Sequence, residues 1–258
     1  MTDLTFSPAP GARSWPAASF AYARIETRLV LRNAEQLVLA LVIPLLVLVG
    51  GTEADGVIDL GVGRPIDVLT PGVMALAVVS TSFNSLAIAT GFERRYGVLK
   101  RLGATPLPRS GLLAGKALSV LAIETGQLAL IAVVGVALGW QPTGGLGAVV
   151  GAVVLVLLGT GAFAGLALLM AGSLRAEATL AAANLVFVLL VVGGAVVVPL
   201  SSYPGIAADL AALLPSGALA EGLREVTTGG APGWERVAVL LGWGVGAGLL
   251  TARTFRWE

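Results

Sequence analysis

Any chemistry in this sequence has to proceed without cysteine or histidine, because the chain contains neither. Thiol nucleophiles, imidazole bases, disulfides and the usual zinc sites are thereby excluded, and no metal site is expected. What remains is sparse. Glu124, followed by Thr125 and Gln127, interrupts the apolar stretch from Leu112 to Trp140, and Ser80, Thr81, Ser82, Asn84 and Ser85 interrupt another. A carboxylate in the middle of such a stretch costs several kcal/mol unless it is protonated, paired or hydrated. Two readings of Glu124 stand: a functional group, or a hydrogen bond that rivets its helix to a neighbour such as the one carrying Asn84. At helical spacing Ser80 and Asn84 share one face and Thr81 and Ser85 another, which suits interhelical packing or the lining of a substrate path. Ser80, Asn84, Glu124 and Gln127 are the candidate pathway residues. An embedded enzyme would need a nucleophile with a base, yet Lys100 and Lys116 fall where a cytoplasmic face is expected. No G-x-x-x-x-G-K-[ST] phosphate loop occurs either, so the chain is not expected to be an enzyme.

Apolar membrane helices must position these groups. Of 258 residues, 56% are hydrophobic and 12% charged, with a mean hydropathy of +0.91, far outside soluble globular usage. A bilayer crossing takes about 20 apolar residues. The runs predict an all-α polytopic membrane protein with six transmembrane helices: 34–51, 69–92, 112–140, 146–171, 178–199 and 234–252. The clean apolar part of the first, Leu37 to Val49, is short, and Pro44 should kink it. Residues 1–15, with Pro8, Pro10 and Gly11, read as a disordered N-terminus, leaving 16–258 as a single domain. Between Ser201 and Gly233 the apolar pattern gives two short helices broken at Pro215. Each is too short to span, so they are interfacial or re-entrant.

The longest polar run between two apolar segments is E-R-R-Y-G-V-L-K-R-L-G-A-T-P-L-P-R, from Glu93 to Arg109. Val98, Leu99 and Leu102 recur at helical spacing, and Gly103 and Thr105-Pro106 stop the pattern. That predicts one short amphipathic helix from Glu93 to Leu102. Upstream, from Pro16 to Glu35, Phe20, Ala23, Ile25, Leu29 and Val30 oppose Arg24, Arg28 and Arg32, a basic stripe suited to the membrane interface. With six spans, every Lys and Arg except Arg64, Arg224 and Arg236 falls on one side. The positive-inside rule places that side in the cytoplasm, with both termini.

The Glu93–Arg109 loop resembles the cytoplasmic loop of the type-2 ATP-binding-cassette (ABC) transporter permeases, through Glu93, Arg94, Gly97, Leu99, Arg101, Leu102, Thr105, Pro106 and Arg109. The resemblance continues in Gly193-Gly194 to Pro199, Pro204, Pro215 and Glu221-Gly222-Leu223-Arg224. It implies that the loop, with Arg95 and Val98 included, forms a coupling helix that docks on the ATPase. It also implies that the helix bearing Arg24, Arg28 and Arg32 is an interface helix, and that Pro215, Glu221, Gly222 and Arg224 belong to an outer re-entrant segment.

What the resemblance implies for function is the plasma-membrane half of an exporter, completed by a second copy or a paralogue and by a soluble ABC ATPase. ATP and Mg are expected on that partner and no cofactor on this chain; membrane lipids are partners and nucleic acid is not. The aliphatic spans favour an amphipathic or hydrophobic small molecule, as in drug efflux, with envelope lipid or glycan precursors as the alternative. Ion-coupled secondary transport would call for several membrane carboxylates or paired broken helices, against which a single Glu weighs.

Overall fold

The computed structural model describes residues 14–53, 64–105 and 107–254. The expectation for residues 1–15 therefore lies outside the described residues apart from Ser14 and Trp15, and Trp15 already opens a helix. Regular structure among the described residues is helical, with one isolated bridge between Thr143 and Thr228. Helix α1 covers Trp15–Arg32, with Pro16 in its first turn, where a missing N–H is harmless. Asn33 separates it from α2, Ala34–Glu53, which contains Pro44. The described apolar part of α2, Ala40–Glu53, is about 20 Å long at 1.5 Å per residue.

One long helical run, Pro65–Arg95, comprises α3 (Pro65–Val78), a π-helical segment (Val79–Ser85) and α4 (Leu86–Arg95). The π segment coincides with the polar run Ser80–Ser85. The wider turn still leaves residues four apart on one side: Thr81 and Ser85 line one pocket, and Ser80 and Asn84 are both half-buried. The remaining elements are α5 (Val98–Gly103), α6 (Arg109–Ala137), α7 (Gly145–Ser173), α8 (Ala176–Gly193), a 3₁₀ turn at Leu200–Ser202, α9 (Ile206–Leu213), α10 (Pro215–Thr227) and α11 (Trp234–Thr254).

Five helices among the described residues are long and apolar enough to cross a membrane: Pro65–Arg95, α6, α7, α8 and α11. They correspond to the second through sixth predicted spans. The fifth stops earlier than expected, at Gly193 rather than Pro199, because the chain turns at Gly194 and Ala195, the latter at φ 52°. The two short helices around Pro215 are present as α9 and α10, bent by 92°.

Helix α7 is the centre of the bundle, packed on α10 and α11 and against α4 and the π segment. Phe83, Leu155, Phe163, Leu219, Leu223 and Leu240 form the core among them. A second cluster, Leu48, Ile66, Leu69, Val73 and Ile131, joins α2 and α3 to α6. Outward-facing leucines and valines on α6, α7, α8 and α11 are what helices in contact with lipid tails present.

Candidate functional site

The basic loop is two helices rather than one. Helix α4 runs on to Arg95, then the chain turns at Tyr96 and Gly97 before α5 begins. Gly97 has φ +69°, a left-handed conformation that side chains disfavour, with open space around it. The turn rotates α5, and Leu99, one of the residues of the implied ATPase-docking helix, is instead buried within the chain at 1% exposure. Val98 stays exposed, Leu102 half-buried, and Lys100 and Arg101 open to solvent. Tyr96 is 65% exposed beside them, an outward aromatic that an apolar-periodicity reading passes over. The Thr105 hydroxyl donates to the Leu102 carbonyl at 2.6 Å and closes α5; Pro106 lies outside the described residues.

The other loop residues are bound within the chain. Arg94 donates to the Leu174 carbonyl at the end of α7, and Arg95 pairs with Glu177 in the first turn of α8. Glu93 is held by Lys116, whose Nζ lies 2.7 Å from it and 2.6 Å from Glu26 of α1. Lys116 is 1% exposed, so it stands beside Glu93 at the basic loop's end of the bundle but enclosed, not on an open face. It is an internal cation between two carboxylates, with the Tyr22 ring 6.0 Å away. Burial, and then the Glu26 carboxylate, pushes the Tyr22 phenol far above its usual pKa. Thr27 also donates to Ser119 at 3.0 Å, and Trp15 to Ser110 at 3.0 Å. Helix α1 thus lies along α6, with Ser19 and Ala23 against it and Arg24, Arg28 and Arg32 exposed. Gly115 makes this approach possible, since a Cβ there would fall 2.5 Å from the Tyr22 ring.

Deeper in the bundle the four candidate pathway residues separate. Glu124 is buried at 1% exposure and accepts the Thr160 hydroxyl of α7 at 2.6 Å. Gln127, also buried, accepts from Thr81 at 2.8 Å and donates to the Ala40 carbonyl at 3.2 Å. Ser80 and Asn84 are half-buried, and Asn84 donates to Asn184 of α8 at 3.4 Å. Glu124 and Gln127 therefore stitch α2, the π segment, α6 and α7 together inside the chain. Both are enclosed while Ser80 and Asn84 are half-buried, and Glu124 ties its helix to α7 through Thr160 and to the segment carrying Asn84 through Ser82.

At the opposite end from the basic loop, Arg224 of α10 is buried. Its guanidinium donates to the Ala195 carbonyl at 3.0 Å, the Val196 carbonyl at 2.7 Å and the Val68 carbonyl at 3.3 Å, and pairs with Glu221 at 3.2 Å. These carbonyls belong to the irregular stretch after α8 and to α3. One side chain thus ties the re-entrant hairpin to α3 and to the stretch after α8, and supplies donors to backbone oxygens of that irregular stretch. Pro215 starts α10, and Gly222 packs under Leu155. The Trp243 indole donates to the Leu213 carbonyl at the hairpin's tip, at 2.9 Å.

No curated protein matches the sequence. A family model described as ABC-2 type transporter matches residues 17–227, from the first turns of α1 to the end of α10. With most of the chain covered and the helices described above long and apolar enough to cross a bilayer, this multi-pass membrane protein belongs to the ABC-2 type transporter family and is the membrane subunit of an ABC transporter.

Proposed function

We propose that this chain is the permease subunit of an ABC exporter in the plasma membrane. It moves amphipathic or hydrophobic small molecules out of the cytoplasm or inner leaflet, and a separate ATPase subunit drives it. Two copies, or one copy and a paralogue, form the pathway, with six spans per chain and both termini in the cytoplasm. The observation that carries this reading is the connectivity of the Glu93–Thr105 segment. Arg94 and Arg95 tie it to the turn between α7 and α8, and Glu93 ties it through Lys116 to α6 and α1. Tyr96, Val98, Lys100 and Arg101 stand on the outside of this knot, an aromatic and an aliphatic side chain rimmed by cations. An ATPase seated there would push on several helices at once, which is what a nucleotide-driven machine requires of its membrane half. The sequence carries no phosphate loop of its own. Co-purification of the chain with an ATPase subunit, followed by substrate-stimulated ATP hydrolysis in proteoliposomes, tests the reading. A purified complex whose hydrolysis ignores every amphipathic compound offered, while responding to lipid-linked glycans, would replace the drug-like substrate class with envelope precursors.

A further inference from the structure

Beneath the tip of the re-entrant hairpin, the surface shared by α7, α8 and α11 opens into two adjoining grooves. The first, about 490 Å³, runs between α7 and α8 and is lined by Phe83, Leu169, Met170, Leu189 and Leu190, with Ser173 the sole polar side chain. The second, about 450 Å³, follows α7 and α11 past Val239, Gly242, Gly246 and Leu250, with no polar side chain. Leu166, Leu169 and Trp243 line both, so the Trp243 indole partitions them. Its one polar atom is already committed to the Leu213 carbonyl, which leaves an apolar ring to the grooves.

Both grooves are built from membrane-crossing helices, each has the volume of an ordinary ligand pocket, and in hydrocarbon only an apolar occupant leaves no polar group unsatisfied. Two grooves side by side, divided by one ring, match a molecule with two chains. The ends add a charge preference. Ser173 closes α7, and Arg175 follows two residues later; Leu250 lies near the end of α11, and Arg253 follows three residues later. Both arginines are exposed, and neither forms an ion pair among the described residues. We propose that the twin grooves bind one anionic two-chain phospholipid, with an acyl chain on either side of Trp243 and the head group drawn to Arg175 and Arg253. The lipid packs directly under Leu213–Pro215, so its presence supports the hairpin's tip. The orientation proposed above enters only in naming the cytoplasmic leaflet as the lipid's source.

The test uses the purified full chain in nanodiscs of phosphatidylcholine. A growing fraction of either phosphatidylcholine or phosphatidylglycerol carries bromine in mid-chain, which quenches tryptophan fluorescence on contact. Subtracting a Trp243→Phe variant isolates Trp243 from the other four tryptophans. We expect half-quenching at a several-fold lower fraction of phosphatidylglycerol than of phosphatidylcholine, an arginine near the surface contributing about fivefold. In the Arg175→Gln/Arg253→Gln double variant the two lipids should quench alike. Gly246→Leu should reduce quenching by both, and it fills the groove without a clash, because a Cβ there meets no atom within 4 Å; Gly242→Leu is equally open and serves as a second blocking variant. Equal half-quenching by the two lipids in the wild type would overturn the proposal in favour of bulk bilayer contact. Absence of quenching by either would overturn it in favour of a protein surface, such as a second copy, covering this face. No ATPase and no transport enter the measurement, and both leaflets hold the same lipid. Failure here is therefore distinct from failure of the exporter reading or of the orientation.

Discussion

Replacing Lys116 with Met removes one charge from the middle of three and leaves the packing nearly intact. The consequence follows from burial. Lys116 is enclosed, its two carboxylate partners lie at 2.6 and 2.7 Å, and their side chains are 18% and 23% exposed. Breaking a buried ion pair by deleting one partner costs about 3–5 kcal/mol. Partial exposure of Glu26 and Glu93 lowers the figure and their mutual repulsion raises it, so a loss of about 3 kcal/mol is expected. Lys116→Met should therefore unfold at clearly milder denaturant than wild type in detergent, followed by circular dichroism. The triple variant Lys116→Met/Glu26→Gln/Glu93→Gln, which strands no charge, should recover most of the loss. A second readout reports on α1 itself. The Thr27 and Ser119 hydroxyls are 3.0 Å apart and the chain has no native cysteine, so a cysteine pair at these positions should oxidise quickly in the wild-type background and slowly with Lys116→Met. Unchanged unfolding and unchanged cross-linking would refute the view that this triad seats α1 on α6.

Three further outcomes follow from the same geometry. Arg224→Lys replaces a fork that reaches three carbonyls with a single ammonium; stranding even one of them costs about 1–3 kcal/mol, to be read as lowered unfolding stability, and a fully stable variant would remove the clamp. Glu124→Gln keeps an acceptor for Thr160 and should change stability by less than about 1 kcal/mol, whereas Glu124→Ala leaves that hydroxyl unpaired and should cost about 1–3 kcal/mol; equal losses would show that the charge itself matters. Gly97→Ala meets no neighbour but forces a side chain into φ +69°, a strain of about 1–2 kcal/mol, which should loosen α5 and speed tryptic cleavage at Lys100 and Arg101.

Much of the architecture was legible because hydrocarbon imposes length and composition on its helices, and because Pro215 and the Gly193–Pro199 stretch break periodicity visibly. The π segment was not legible, since a polar run reads the same in an α-helical or a π-helical turn. Lys116 looked like one more inner-loop cation, as its partners Glu26 and Glu93 lie 90 and 23 residues away and only packing brings them together. Leu99 was misplaced for a local reason: a single left-handed glycine, Gly97, divides what the apolar spacing presents as one helix. Arg224 stood out as part of a Gly-Leu-Arg motif, but its work is done on backbone carbonyls, which leave no trace in side-chain identity.

The claim on which the functional account rests is that the Glu93–Thr105 segment is where an ATPase drives this chain, and its outward face is the place to strike. Buried apolar and aromatic anchors dominate such interfaces, while rim charges contribute less. Leu99 is unsuitable as a probe, since a charge there would damage the chain's own core, whereas Tyr96 and Val98 are exposed and can be changed without unfolding it. The measurement is capture of the ATPase subunit by detergent-solubilised wild type and by a Tyr96→Asp/Val98→Asp variant shown to unfold normally, together with ATP-driven export by each. The account predicts that the variant loses both the ATPase and export. Wild-type capture and wild-type export by the variant would contradict it.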